Sequence, residues 1–425
     1  MRFIWGLPPC SLYPLVNAEE LPKALLPVGN KPMIYYQLQW LEAARIHEII
    51  ILTQVGAAKK IKDYFKIYES SSDTAIEVVT VDEDYGTADA LRHIKNKIKK
   101  NFIVLSCDVI TDVHPHQIID LHRAQNPSAT VLFYDSSKLE SGADKPKGKD
   151  EDTIEYVGIE SSKSRLVLLT SPDDIEDELP IQISAAKKFP VVNVTTQLRN
   201  AHIYIFNRWV MDLIVQKKHI SSLREELLPL LVKAQYSKRV LENEGIDKLM
   251  ATGGDSFLRA RALSTSGSAY LEDRGVICTA VTINDSFCGR ANTVWSYSQI
   301  NFQFTKSHGE DSKISSSAVV DPKTPVSADS LIGESTKIGE RGSIKKCIIG
   351  SHCTIGKMVK LTGCIIMDHV VIEDGAKLDG TIVCNEARIM EKATLKDCEV
   401  GVKAVVEREA THKNEHLLRY EEMTD

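Results

Sequence analysis

Along the first half of the chain, short apolar runs rich in β-branched residues alternate with stretches whose apolar positions recur every three or four residues. The runs IIILT (49–53), IEVVTV (76–81), FIVLSC (102–107) and ATVLFY (129–134) have the length and composition of buried strands. Between them, KPMIYYQLQWLEAARI, TADALRHIKNKIKK and PHQIIDLHRAQ show helical spacing. Pro32 is expected in a first helical turn, where its missing N–H would have had no intrahelical partner. TIEYVGI, RLVLLT and LRNAHIYIF supply more strands, followed by helices through SLREELLPLLVKAQYS. This alternation predicts an α/β domain over residues 1–239, with a mostly parallel sheet covered on both faces. The polar stretch KLESGADKPKGKDED (138–152) reads as a surface insertion. Residues 240–314 read as a connector with some strand content in GVICTAVTI.

From about residue 315 the period changes. Ile332, Ile349, Ile366, Val383 and Val400 are each 17 residues apart. Six positions after each comes Ile338, Ile355, Ile372, Ile389 or Val406, and six further on lie Ile344, Leu361, Leu378 and Leu395. Coils of 6 + 6 + 5 residues predict a three-sided parallel β-helix over residues 315–410. The position two before each aliphatic residue is small or β-branched, as at Ser330, Thr336, Cys347, Cys353, Val359, Cys364, Ala376, Thr381 and Cys398. Residues i and i−2 of a strand share a face, so a long and a short side chain together fill a narrow interior. The cysteines among them are expected to be small interior hydrophobes, not ligands. Asp321-Pro322 breaks the register, which predicts an irregular opening coil, and residues 411–425 read as an acidic tail.

Composition changes this picture little. The balance of 52 basic against 58 acidic side chains, a net charge of −6, points to neither nucleic acid nor anionic lipid as a partner. No apolar run reaches the roughly 18 residues that span a bilayer, and the N-terminus lacks a secretory pattern. Nine cysteines without a CxxC pair fit a reducing compartment. A cytoplasmic location is expected, with no membrane contact and no metal or other cofactor.

The block SLYPLVNAEELPKALLPVGNKPMIYY, the segment GTADALRHI (86–94) and the strand end VLSCDVITD (104–112) resemble the sugar-phosphate nucleotidyltransferase superfamily. In those enzymes a Gly-x-Gly-Thr-Arg loop wraps the triphosphate with backbone N–H groups and a cation. Aligned on Leu12-Tyr13-Pro14-Leu15, Gly6 takes the first glycine; Leu7 and Pro9 stand at the later glycines and Ser11 at the arginine. Pro8 and Pro9 carry no N–H at all. By the resemblance, Lys23 matches a phosphate-contacting lysine, Gly86 and Thr87 a base-contacting turn, and Asp108 a magnesium-binding carboxylate. The superfamily's later Trp-x-Asp-x-Gly segment, which supplies the companion carboxylate, has no counterpart between Phe206 and Gly245. These four residues are therefore expected to line a vestigial nucleotide pocket, with no catalytic residue.

The wording LSCDVITDV, GTADALR, DELPIQISAAKKFPVV, LRNAHIYIF and SLREELLPLLVKAQ, joined to the β-helix, narrows the resemblance to the gamma-type subunits of eukaryotic translation initiation factor 2B. That resemblance implies a left-handed β-helix and a non-catalytic, regulatory part in guanine-nucleotide exchange. It implies pairing with the epsilon subunit, assembly with the alpha, beta and delta subunits, and translation initiation factor 2 as the substrate G protein. The alternatives are a sugar-phosphate nucleotidyltransferase, or a regulatory subunit of one. His352 and His369, 17 residues apart, admit a further alternative in β-helix acyl transfer, against which stand simple stacked turn residues.

Overall fold

The computed structural model describes residues 2–6, 12–17, 19–67, 74–82, 84–135, 155–172, 175, 179, 181–252, 275–283, 286–307 and 313–419. The expected surface insertion at 138–152 and the loop residues Leu7, Pro8, Pro9 and Ser11 lie outside them. The chain divides into two compact units, Met1–Pro8 with Tyr36–Gly289, and Pro9–Tyr35 with Arg290–Asp425.

The first unit is built on a ten-stranded sheet. Its strands are β1 (Arg2–Gly6), β2 (Glu48–Gln54), β3 (Ala75–Val81), β4 (Phe102–Ser106), β5 (Ala129–Asp135), β6 (Tyr156–Glu160), β7 (Arg165–Thr170), β8 (Asn193–Thr195), β9 (Leu198–Phe206) and β10 (Cys278–Ile283). They lie in the order β8-β6-β7-β10-β5-β9-β4-β1-β2-β3. The run β4-β1-β2-β3 and the pair β10-β5 are parallel. All other pairings are antiparallel, so the expectation of a mostly parallel sheet is corrected to a mixed one. Strand β9 enters between β4 and β5 against both, β7 runs against both β6 and β10, and β8 runs against β6.

Helices α1 (Met33–Ala43), α3 (Thr87–His93) and α4 (Pro115–Gln125) fall where the apolar spacing placed them, and a further helix, α2 (Val55–Ile67), lies in a segment that spacing did not mark. Pro32 stands one step before its expected place. It closes a two-residue ribbon with Pro27, and the helix starts at Met33. GVICTAVTI is no connector: β10 is an interior strand, with Cys278, Thr279 and Ala280 all buried. A core of Val104, Phe102, Val131, Phe133, Phe206, Leu213, Leu227, Leu231 and Cys278 binds the sheet to α5 (Arg208–Gln216) and α6 (Leu228–Ala234).

The second unit is a parallel β-solenoid. Its three sheets pair each coil with the next at a 17-residue register, as in Ile332↔Ile349, Ile338↔Ile355 and Ile344↔Leu361. The opening coil pairs at 18 residues on every side, Ile314↔Ile332, Val320↔Ile338 and Val326↔Ile344. Its irregularity is thus one extra residue in the third turn. Strands Thr411–Lys413 and His416–Leu417 complete two sides beyond residue 410, so the solenoid runs into what the sequence suggested as tail.

The interior matches the long-and-short expectation. Ile349, Ile366, Val383 and Val400 stack beside Cys347, Cys364, Thr381 and Cys398, all buried. Thr336 donates its hydroxyl to Gly350 O at 2.7 Å and accepts from Cys353 N at 3.2 Å, which satisfies a polar side chain inside the stack. Corners are made by left-handed residues, as the columns Ser335-His352-His369-Glu386-Lys403 and Arg341-Met358-Gly375-Lys392-Glu409 show.

One side of the solenoid is covered outside as well as in. Ile348, Ile365, Ile382, Met367 and Cys384 point away from the interior strands yet are buried. Residues 12–32 and the helix Val294–Ser307 belong to the same unit. Asn30 Nδ2 donates to Ile349 O at 2.7 Å, Lys403 pairs with Glu20 at 2.9 Å, and Tyr297 OH donates to Pro27 O at 2.6 Å. Gly29 N donates to Asn301 Oδ1 at 3.0 Å.

Candidate functional site

Gly86 and Thr87 open α3, and the start of that helix is bonded to residues 221–223. Thr87 Oγ1 accepts from Leu223 N at 2.9 Å, and Ala88 N donates to Ser221 O at 2.8 Å. Ser221 Oγ donates to Asp89 Oδ2 at 2.7 Å, and that carboxylate also receives Gly86 N at 3.2 Å, half of a capping box. Gly86 is required by this approach: a Cβ would strike Ser221 Oγ and come within 2.5 Å of its carbonyl oxygen. Arg92, one turn on, pairs with Asp89 and donates to Ile214 O and Lys217 O, each at 2.7 Å. The segment GTADALR is thus a joint that fixes the end of α5 and the start of the next helical turn. A base-contacting turn needs those N–H and hydroxyl groups facing a ligand; here they face the chain.

Asp108 follows β4 and is fully buried. Its flanking carbonyls are both held by one side chain, Gln37 Nε2, at 2.7 Å to Cys107 O and 2.8 Å to Val109 O. The strand end is clamped further on, where Thr111 Oγ1 donates to Phe287 O at 3.0 Å and Asp112 N to the same oxygen at 3.1 Å. A hard cation with phosphate ligands requires an accessible carboxylate with oxygen partners. Among the described residues no three His, Cys, Asp or Glu side chains are grouped to hold a metal.

Lys23 begins a single 3₁₀ turn, Lys23–Leu25, and is buried. It belongs to the second unit, whereas Gly86, Thr87 and Asp108 belong to the first. Sequence reasoning found Gly86 and Thr87 but missed Ser221 and Asp89, which meet Gly86, and Arg92, which holds Asp89. The readable signal was Asp89, three residues into the helix at the capping-box position.

His352 and His369 stack with centroids 5.0 Å apart and planes within 6°. Both are exposed corner residues with positive φ, 56° and 60°, and their N–H groups donate to Glu334 O and Ser351 O in the preceding coil. Burial pushes the Cys353 thiol up to about 11 and the Cys384 thiol up to about 12, which keeps both protonated and unreactive.

Residues 11–141 match the family model described as "Nucleotidyl transferase", and residues 311–412 that described as "EIF2B subunit epsilon LbH domain". A protein named translation initiation factor eIF2B subunit gamma, from Schizosaccharomyces pombe, is 35 % identical over 79 % of this chain and 71 % of its own length. This chain belongs to the eIF2B gamma subunit family. A second relative of that name, from Dictyostelium discoideum, is 30 % identical over 77 % of this chain and 82 % of its own. A mannose-1-phosphate guanyltransferase from Candida albicans is 27 % identical over 50 % of this chain and 51 % of its own length. Membership in the family makes the chain a translation initiation factor 2B subunit, with a nucleotidyltransferase domain ahead of a β-solenoid. No helix among the described residues is long and apolar enough to cross a membrane.

Proposed function

We propose that the chain is a non-catalytic subunit of the cytoplasmic guanine-nucleotide exchange factor for translation initiation factor 2. In this reading it pairs with the epsilon subunit and assembles with the alpha, beta and delta subunits. The match of the solenoid to an epsilon-subunit domain supports a sibling pair built from the same parts. The observation that carries the non-catalytic reading is the closure of Gly86 and Thr87 by residues 221–223. The sequence adds to it. Pro8 and Pro9 take two N–H donors out of the triphosphate loop, and Ser11 stands in place of its cation. Lys23, Gly86, Thr87 and Asp108 then persist as architecture, holding strand ends and helix starts.

The test is to tag the full chain in cells, isolate what assembles with it, and measure GDP release from translation initiation factor 2. Recovery of the epsilon subunit, with exchange that falls when the chain is depleted, is the expected result. Recovery without any exchange-factor subunit overturns the reading. The guanyltransferase relative favours one competing reading, an active nucleotidyltransferase, which predicts pyrophosphate release from a nucleoside triphosphate and a hexose phosphate.

A further inference from the structure

The three sides of the solenoid present different surfaces. The side carrying Ile348, Ile365 and Ile382 is covered. The side built from Lys337–Ile338, Thr354–Ile355, Val371–Ile372 and Arg388–Ile389 points a mixture of charges, hydroxyls and apolar groups outward. The third, built from Ser343–Lys345, Lys360–Thr362, Lys377–Asp379, Thr394–Lys396 and Thr411–Lys413, points Lys345, Lys360, Lys377, Lys396 and Lys413 outward, all exposed.

Register makes this more than a scatter of surface lysines. Lys360 stands directly opposite Lys377, and Lys396 directly opposite Lys413. Neighbouring strands are about 4.8 Å apart, and like charges facing across a sheet are destabilising. Elsewhere the solenoid pairs opposite charges from coil to coil: Lys357 with Glu340 at 3.2 Å, Arg408 with Glu391 at 2.6 Å, Lys392 with Glu409 at 3.1 Å. On the lysine side one carboxylate, Asp379, comes within 4.0 Å of Lys396. The solenoid balances its charges on its corners and leaves them unbalanced on this face.

We propose that this face docks an acidic segment of a protein partner. Five strands span about 20 Å, the reach of an extended segment of about six residues. Its carboxylates would relieve the lysine-lysine repulsion, and the outward Thr362, Thr394 and Thr411 hydroxyls between the lysines can bond its backbone. Nucleic acid fits less well. The outward positions hold no aromatic ring on which a base could stack, and Asp379 sits in the path of a continuous phosphate backbone. The proposal rests on the subunit reading only for where the partner is sought.

The test uses the tagged full chain with its co-purifying assembly and a carbodiimide, which joins a lysine amine directly to a contacting carboxylate. Mass spectrometry should find Lys360, Lys377, Lys396 or Lys413 joined to an acidic stretch of another, identified polypeptide. The double variant Lys360→Glu with Lys377→Glu should weaken capture of that polypeptide about tenfold at about 0.1 M salt, and far less at about 0.5 M. Lys337→Glu with Arg388→Glu, on the mixed side, should leave capture unchanged, and unaltered thermal midpoints show that both variants fold. Links confined to this chain, RNA in place of protein, or unchanged capture by the lysine variant each overturn the proposal. If exchange-factor subunits co-purify and the lysines stay unlinked, the docking face alone fails. If none co-purify, the subunit reading fails, and the face stands or falls on whether its lysines join an identified acidic stretch.

Discussion

Gly86 shows how one residue type serves two purposes. In a nucleotide site, a glycine lets a ligand approach the backbone; here it lets Ser221 do so. Gly86→Ala should cost about 1–3 kcal/mol by overpacking, read as a lowered denaturant midpoint. Adding Ser221→Gly should restore only part, because the backbone oxygen of residue 221 remains in the way. His122 offers a second residue-scale check. Its Nδ1 lies 2.8 Å from Thr130 Oγ1, and burial, with a smaller contribution from Arg123, lowers its pKa to about 4. Between that value and the ordinary 6.5 the unfolded chain binds a proton that the folded chain refuses. Stability is therefore lost as pH falls through this window, by about 3 kcal/mol from this group. His122→Gln should flatten the curve there, and the difference between the two proteins is the quantity to measure. His352→Gly should be neutral or stabilising by up to about 1 kcal/mol, since glycine adopts its left-handed corner without strain. A catalytic base for acyl transfer would behave otherwise, losing an activity.

At the scale of elements, the solenoid was almost wholly legible. A 17-residue repeat leaves each side chain one environment, so Ile366 and Cys364 could be placed inside from spacing alone. The doublets Ile348-Ile349, Ile365-Ile366 and Ile382-Val383 also announced that one side is covered outside, a signal that the reading by single aliphatic columns passed over. Ile382→Asp should therefore unfold or strongly destabilise the protein, by more than about 2 kcal/mol. Val405→Asp, equally outward but 59 % exposed, should stay within about 0.5 kcal/mol of the parent by thermal or chemical melting. The sheet was less legible. Local pattern marks β9 and β10 as strands but carries no information on which strand lies beside which, and that choice is made by long-range packing. The candidate site was legible only in part for the same reason. Gly86 and Asp89 are neighbours in sequence, but Ser221 reaches them from 132 residues away.

At the scale of the whole molecule, the proposal is a nucleotidyltransferase body retained for assembly, and family membership and the closed α3 joint are what support it. Segment 12–32, which in the superfamily borders the triphosphate loop, is here bonded into the solenoid unit through Asn30, Glu20 and Pro27. Loss of transfer chemistry is the claim on which this view turns. The direct measurement is pyrophosphate release by the purified chain with magnesium, a nucleoside triphosphate and a hexose 1-phosphate. The expected result is a rate no higher than that of the buffer. Sustained turnover, abolished by Asp108→Asn, would contradict the account.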